Sequence, residues 1–540
     1  MSRYRLSLES PLKIDYPEIQ KDPEILQGRL KDAAGNSGPN CLGLFIPASE
    51  RQLASFLIDH PQTLILPQGA RTSLTGGATP QGDLLISTER FQMIQLLSSS
   101  RIRVGAGVYL RDLLVFLQEK NLYYPPTPTF DGATLGGTVS TNAAGAATFK
   151  YGTTRDWVEK FRLLLRHGEV LSLERGQYQV KPGDEIILQG KQNISFSIPS
   201  YCTPPLKKIS AGYYVRNPMD LVDFFIGSEG TLGIFTEVEL KLISRKKILT
   251  GLVCFSKESA LLLCTQQLRD SSIQTWKTQD PQGIDIRSIE YIDGEALQLL
   301  RDSGAPQIRK VSLPESTSAV ILFEMELALL WTTDKVQMDF EAVFEDSPAQ
   351  DSPVLRLGKI LKHFDVLEQS SFAFPEEIEK HKQLIGLREA VPMTVNEWIL
   401  RQQQREPDIY KCGGDFIVPF EALESMLPFY RKTFQRYGLS YVIWGHLSDG
   451  NLHPNILPKN AEELKKGQDS FMELTQEVKA RGGCPLSEHG VGKNPMKQKM
   501  LRAFYGDQSI HEMQGVKNAF DPHWTLARGV LFPPLFQKKS

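Results

Sequence analysis

Three glycine-rich segments punctuate the first half of the chain, and they limit what it can fold into more than any other feature. Residues 67–77 read Pro67-Gln68-Gly69-Ala70-Arg71-Thr72-Ser73-Leu74-Thr75-Gly76-Gly77. Residues 133–145 hold Ala133-Thr134-Leu135-Gly136-Gly137 and then Thr141, Asn142 and Gly145. Residues 226–234 read Ile226-Gly227-Ser228-Glu229-Gly230-Thr231-Leu232-Gly233-Ile234. Small residues stand where backbone must approach something closely. In the first segment successive N–H groups can point at an anion, and Thr72 and Ser73 add hydroxyl donors, which suits a pyrophosphate. A tight strand-connecting turn explains one such loop at least as well. None of the three is a G-x-G-x-x-G after a strand or a G-x-x-x-x-G-K-[ST], so a Rossmann dinucleotide site and a P-loop are poorly supported. Three such loops spread over one region point instead to a long ligand bound across it.

The chain has 540 residues, too many for one ordinary core, so two or more domains are expected. Its formal net charge of -2 leaves no global basic field for nucleic acid or an anionic membrane. The 6 cysteines are scattered without a C-x-x-C pair, which disfavours Fe–S clusters, cysteine zinc sites and a disulfide framework. The N-terminus lacks the apolar core of a secretion signal, and Glu9, Asp15 and Glu18 argue against a transit peptide. The most apolar long stretch, residues 319–331, is short for a membrane span and contains Glu324 and Glu326, so it is expected to be a buried strand or helix. A cytoplasmic protein is expected, with peripheral attachment to the inner face of a membrane left open.

Gly-rich turns alternate with short β-type runs up to about Ser244; beyond it glycine thins and longer charged helical segments begin. This predicts a first domain over 1–245 and a second over 246–474. A C-terminal segment, 475–540, is expected to return to the first domain. TEVELKLISR alternates apolar and polar residues, as an edge or half-exposed strand would, and LRDLLVFLQEKNL has helical spacing. Ser-Pro punctuation over 346–353 predicts a surface loop inside the second domain.

The densest polar motif is Trp444-Gly445-His446-Leu447-Ser448-Asp449-Gly450-Asn451-Leu452-His453-Pro454-Asn455, with Glu488-His489 following in SEHGVGK. A turn at Asp449-Gly450-Asn451 can bring His446 and His453 to face one point. Two neutral imidazoles and a carboxylate make an open site for Zn²⁺ or Mn²⁺. By spacing alone, a hairpin with hydrogen-bonded histidines accounts for the motif equally well. The chain has only 9 histidines, three of them in these two motifs, which tilts the balance modestly towards function.

The three glycine-rich segments resemble, in place and in order, the FAD-binding domain of the vanillyl-alcohol oxidase / p-cresol methylhydroxylase superfamily. Its members carry PQGG-x-T or PRGGGTS, then ATLGG-x-x-x-TNAGG, then GSEGTLGI. The resemblance implies that Pro67, Gln68, Gly69, Ala70, Arg71, Thr72, Ser73, Gly76 and Gly77 wrap the pyrophosphate. It implies further that Ala133, Thr134, Gly136, Gly137, Thr141, Asn142 and Gly145, with Glu229, Gly230, Gly233 and Ile234, line the flavin and ribityl chain. Ala70, Arg71 and Ala144 depart from the usual glycine or Asn, so Ala70 needs a backbone conformation open to a Cβ-bearing residue. No histidine lies in these segments, so noncovalent FAD is expected.

G-H-x-x-D-G-N-L-H and E-H-G-[IV]-G resemble the C-terminal domain of FAD-linked oxidases, in the group of D-lactate and D-2-hydroxyglutarate dehydrogenases and the glycolate oxidase flavoprotein subunit. Carried over, His446, His453 and Glu488 would bind a divalent metal, Zn or Mn, and His489 would be the base beside the flavin. Ser448 stands where glycine is usual, and DPHWTLARGVLFP departs from the family's C-terminal pattern. Leu387-Arg388-Glu389-Ala390-Val391-Pro392 resembles the L-R-E-x-x-P helix whose Arg pairs with the substrate carboxylate, and Lys411 matches a motif lysine; outside that context each would be a solvated surface charge. The fold so implied is α+β: a two-part FAD-binding domain of the p-cresol methylhydroxylase type plus an α+β substrate (cap) domain with an antiparallel sheet. The implied activity is metal-assisted oxidation of a small D-2-hydroxy acid, with electrons passing to a quinone, a cytochrome or an electron-transfer flavoprotein. A non-catalytic FAD-binding subunit, or a non-redox flavoenzyme of the same superfamily, is the competing expectation.

Overall fold

The computed structural model describes residues 1–35, 38–128, 130–345 and 349–533. The chain divides into two compact units. One is built from Met1–Gly145, Gly152–Arg245 and Cys484–Ser540, the other from Ala146–Tyr151 and Lys246–Gly483. The helix Ala461–Ala480 runs unbroken through residue 474, so the chain leaves the second unit only after this helix ends.

In the first unit, Gly43–Phe45, Leu84–Ser87 and Ile65–Gln68 form a three-stranded parallel sheet with Leu84–Ser87 in the middle. All four residues of that central strand are buried, as expected of a parallel strand covered on both faces. The helix Glu50–Asp59 starts at Ser49, whose hydroxyl caps the Gln52 N–H, and buries Leu53, Ala54, Phe56 and Leu57. Phe56 stacks on Phe45 with ring centroids 4.0 Å apart. The C-terminal segment extends the sheet beside Ile65, whose N–H donates to the Thr525 carbonyl at 2.7 Å and whose carbonyl accepts from Ala527 N–H at 2.8 Å.

A second, antiparallel sheet of this unit runs in the order Ile94–Ser98, Arg101–Gly105, Ile234–Lys241, Val158–Leu164, Val170–Glu174. The alternation in TEVELKLISR suggested an edge or half-exposed strand; the structure corrects this, because Ile234–Lys241 is the central strand and mostly buried. Its two buried polar residues, Thr236 and Glu239, are paired, while Glu237 and Lys241 stay partly exposed. Glu239 contacts Arg101 at 2.7 Å and Arg103 at 2.8 Å, and Thr236 donates to Glu50 at 2.6 Å. At Glu239 the polar position therefore marks ion pairing rather than water. The helix Leu110–Gln118 buries Leu110, Leu113 and Leu117, one face at helical spacing.

The second unit is an antiparallel sheet with helices packed on it. Its strand order is Ser371–Ala373, Lys247–Phe255, Ala319–Leu327, Ile286–Ile292, Tyr441–His446, Asn451–Ile456, Cys412–Gly413, and Phe416–Ile417 also pairs with Asn451–Ile456. The apolar run at 319–331 supplies the strand Ala319–Leu327, every residue of which is buried. The helix Ile378–Gln403 lays Leu384, Leu387, Val391 and Val395 against a core that includes Leu252, Ile292, Leu322 and Trp444. Of the loop expected over 346–353, residues 346–348 lie outside the described residues; Ser352 caps the helix Pro353–His363, with its hydroxyl accepting from Leu355 N–H. Both units are thus mixed helix and sheet. Among the described residues no helix is long and apolar enough to cross a membrane.

Candidate functional site

In the first unit the three glycine-rich segments converge on one cavity of about 660 Å³, within the range of small-molecule and cofactor sites. Pro67, Gln68, Gly69, Ala70, Arg71, Thr72, Ser73 and Gly77 line it from the first segment, and Ala133, Thr134, Gly136, Gly137 and Thr141 from the second. The third segment contributes Glu229, Gly230, Gly233 and Ile234. Gly76, Asn142 and Gly145 lie outside the lining and shape it instead. Gly76 takes φ 73, and Asn142 ends the helix Leu135–Thr141 in the left-handed region, with its side-chain oxygen accepting from Arg155 N–H at 2.9 Å. A Cβ on Gly145 would stand 2.0 Å from the Thr127 carbonyl oxygen. Lys31, Thr88 and Phe130 also line the cavity, and nothing in the glycine pattern pointed to them.

The departures from the usual loop fall into place locally. Ala70 is not among the residues with positive φ; Arg71, at φ 60, takes the left-handed position instead. Gln68 holds the loop at both ends, donating to the Arg29 carbonyl at 3.0 Å and the Ala78 carbonyl at 2.7 Å. At Gly136 the N–H donates to the Ala106 carbonyl at 2.8 Å, and a Cβ would lie 2.7 Å from the Ala106 methyl. The Gln68 side-chain oxygen and Thr134 Oγ1 are buried and lack a hydrogen-bond partner among the described residues. Both belong to the lining, so the cavity offers unsatisfied polar groups to a ligand.

Glu488 and His489 line the same cavity. Their loop is fixed by Glu229, whose carboxylate accepts the N–H groups of Val491 and Gly492, both at 2.8 Å. Burial raises the Glu229 carboxyl to about 7 against the pull of those two N–H groups. His489 Nε2 stands 3.3 Å from Glu488. The other oxygen of Glu488 accepts from Lys208, a fully buried lysine, at 3.1 Å. Lys208 sits in a Lys-Lys pair that reads as surface charge, so nothing in its local pattern singles it out.

In the second unit, Trp444–Asn455 is a hairpin. Tyr441–His446 pairs with Asn451–Ile456 so that His446 faces Asn451 and His453 faces Trp444. Side chains two apart on a strand share a face, so both imidazoles lie on one face, with ring centroids 5.4 Å apart. Gly450 takes φ 83, and a Cβ there would meet the Val418 carbonyl oxygen at 2.0 Å. Ser448, in the place of a glycine, is tied in by accepting from Ile289 N–H at 3.1 Å and, through its carbonyl, from Arg269 at 2.7 Å. His453 Nδ1 stands 3.6 Å from the buried carboxylate of Asp415, which also accepts from Asn451 at 3.2 Å.

Arg388 is buried, which removes the reading of it as a solvated charge. Its Nε donates to Glu290 Oε2 at 2.5 Å, while Glu290 Oε1 is hydrogen-bonded to His446 Nδ1. The carboxylate thus joins the arginine of one motif to a histidine of the other. Burial pushes the Glu290 carboxyl up, but attraction and hydrogen bonds from Arg388 and His446 outweigh it and hold it at about 2. Lys411 makes no ion pair among the described residues, and burial lowers its ammonium to about 8.

Comparison with known proteins bears on the family of the chain. The family model of the C-terminal domain of FAD linked oxidases matches residues 257–531, and that of an FAD binding domain matches residues 42–174. Glycolate oxidase subunit GlcD of Bacillus subtilis is 27% identical over 474 residues, covering 87% of this chain and 83% of the relative. D-lactate dehydrogenase of Anaerostipes hadrus is 28% identical over 473 residues, with 86% and 83% covered. D-2-hydroxyglutarate dehydrogenase of Stutzerimonas stutzeri is 24% identical over 527 residues, with 95% and 96% covered. The chain belongs to the FAD-linked oxidase family. It is an FAD-dependent oxidoreductase.

Proposed function

We propose that the protein oxidises a small D-2-hydroxy acid, of the D-lactate, glycolate or D-2-hydroxyglutarate type, to the 2-oxo acid. The observation that carries this reading is the Arg388–Glu290–His446 chain, a buried guanidinium beside a motif imidazole. A planar guanidinium suits a carboxylate, and the imidazole suits a divalent ion beside it. The relatives are named for glycolate, D-lactate and D-2-hydroxyglutarate, which favours the same substrate class.

In this proposal noncovalent FAD, held by residues of the three glycine-rich segments, supplies the two-electron acceptor, and a divalent metal, Zn or Mn, supplies Lewis acidity towards the substrate hydroxyl. His446, His453 and Glu488 are assigned to the metal by their motifs. Arg388 and Lys411 bind the carboxylate and orient the Cα–H. His489 accepts the hydroxyl proton at a ring nitrogen. Electrons are assigned to a quinone, a cytochrome or an electron-transfer flavoprotein, and the site of action to the cytoplasm or the inner face of a membrane. The fold proposed is the two-part p-cresol methylhydroxylase arrangement, with a first domain over 1–245, a substrate domain from 246, and a C-terminal segment that returns to the first domain after the helix Ala461–Ala480.

The test is anaerobic addition of D-lactate, glycolate and D-2-hydroxyglutarate to the purified flavoprotein. Bleaching of the flavin by one of them is expected. A flavin that stays oxidised throughout would turn the reading towards a non-catalytic FAD-binding subunit. Chelation is expected to stop bleaching without releasing FAD, and Zn²⁺ or Mn²⁺ to restore it. Activity in a protein with no metal by elemental analysis would remove the metal from the proposal.

A further inference from the structure

We infer that Glu290 is a positioning residue that sets both the metal affinity of His446 and the binding strength of Arg388; the inference rests on the roles proposed for those two residues. No motif pointed to Glu290. It lies on the strand Ile286–Ile292, which pairs with Tyr441–His446 so that Glu290 and His446 are direct cross-strand partners. Directly opposed residues hold their side chains within contact distance on one face. The second oxygen of the same carboxylate takes the Arg388 Nε–H at 2.5 Å, from the helix Ile378–Gln403. Both oxygens of one buried carboxylate are thus committed, each to a group with a proposed part in the reaction.

Two consequences follow from this bonding. On the histidine side, Nδ1–H donates a hydrogen bond to the Glu290 carboxylate, which leaves Nε2 as the ring nitrogen for a metal and fixes the ring plane. A carboxylate behind an imidazole raises its basicity as a ligand, and loss of such a partner lowers metal affinity about 10–100-fold. On the arginine side, the bond uses the Nε edge and leaves the terminal nitrogens for a substrate carboxylate, while the negative charge of Glu290 offsets part of the cation. Removing that charge while keeping the side chain's shape weakens the metal ligand and strengthens the cation. A merely structural residue would not move the two affinities in opposite directions.

The test uses the full-length flavoprotein, stripped of metal and titrated with Zn²⁺ against a chromophoric chelator. Oxalate, a dicarboxylate with no hydroxyl to oxidise, is titrated separately into the metal-free protein. Glu290→Gln is expected to weaken zinc about 10–100-fold and to tighten oxalate, with FAD content unchanged; Glu290→Asp, which keeps the charge, is expected to recover part of the zinc affinity. Wild-type zinc and oxalate affinities in Glu290→Gln would overturn the inference. His446→Ala separates the two layers. If the wild type binds zinc, His446→Ala loses it and Glu290→Gln keeps it in full, the inference fails while the proposed metal role stands. If the wild type binds no divalent metal, both fall together.

Discussion

Lys208, with no exposed side-chain surface, places its ammonium 3.1 Å from Oε2 of Glu488, a carboxylate that lines the cavity of the first unit. A buried ion pair adds little net stability, but removing one partner strands the other charge at a cost of about 3–5 kcal/mol. Lys208→Met is therefore expected to lower the stability of the metal-free protein by about that amount, read as a shift of the urea midpoint at unchanged slope. If Glu488 is a metal ligand, Zn²⁺ replaces the missing positive charge. It should then recover part of the loss in Lys208→Met and much less in Lys208→Met/Glu488→Gln. An unchanged midpoint in Lys208→Met would show that Glu488 does not depend on the lysine to compensate its charge.

The burial of Arg388 sharpens what its removal should do. Arg388→Ala takes away the proposed carboxylate partner and also leaves Glu290 facing only His446. Catalytic efficiency is expected to fall about 30- to 1000-fold, equivalent to roughly 2–4 kcal/mol, mainly as a raised KM. FAD absorbance per protein should stay the same, because Arg388 does not line the cavity of the glycine-rich segments. Steady-state kinetics beside the absorbance ratio decides the matter, and an unchanged efficiency would exclude Arg388 from the substrate site.

What the sequence made legible follows from whether the controlling interaction is local. The hairpin around Gly450 was readable because a turn needing φ 83 announces itself in a short run of residues. The glycine-rich segments were readable for the same reason, since close backbone approach shows as missing side chains. Glu290 was not readable. Within Ile286–Ile292 it is one acid in a mostly apolar strand, and nothing nearby states that this strand will pair with His446, 156 positions away. Ile234–Lys241 was misread for a related reason, because Arg101 and Arg103, which neutralise Glu239, belong to a strand that is its neighbour in the sheet but far away in sequence. Ala70 drew attention as a departure, yet the strained position fell to Arg71, its neighbour.

Gly136 tests the cofactor cavity with little chemical ambiguity. Its missing side chain lets the helix Leu135–Thr141 sit against Ala106, where a Cβ would come within 2.7 Å of the Ala106 methyl and 3.0 Å of its carbonyl oxygen. Gly136→Val has to push that helix away, and with it Gly137 and Thr141 of the lining. The purified variant is expected to be colourless or to lose FAD on gel filtration. Its secondary structure, by circular dichroism, should remain. Full retention of the flavin spectrum would mean that the second segment does not contact the cofactor.

Lys411 gives a pH dependence whose sign is fixed by the direction of its shift. Burial lowers its ammonium from 10.5 to about 8. Between those values the unfolded chain binds a proton that the folded chain has released, so stability rises with pH across this window. The burden of a charged Lys411, which has no ion-pair partner among the described residues, is fully present below about pH 8. A carboxylate bound beside Lys411 reverses the balance, because it favours the ammonium and raises its pKa. Binding of the hydroxy acid is therefore expected to be strongest below about pH 8, to weaken as pH rises through that value, and to be accompanied by proton uptake there. Lys411→Met should raise KM at neutral pH and flatten this alkaline limb, while raising the urea midpoint of the ligand-free protein at pH 7 by removing a half-buried charge. KM for the substrate that bleaches the flavin, measured from pH 6.5 to 10 in both proteins, checks the assignment. An alkaline limb of equal size in Lys411→Met would assign the titration to another group and remove Lys411 from carboxylate binding.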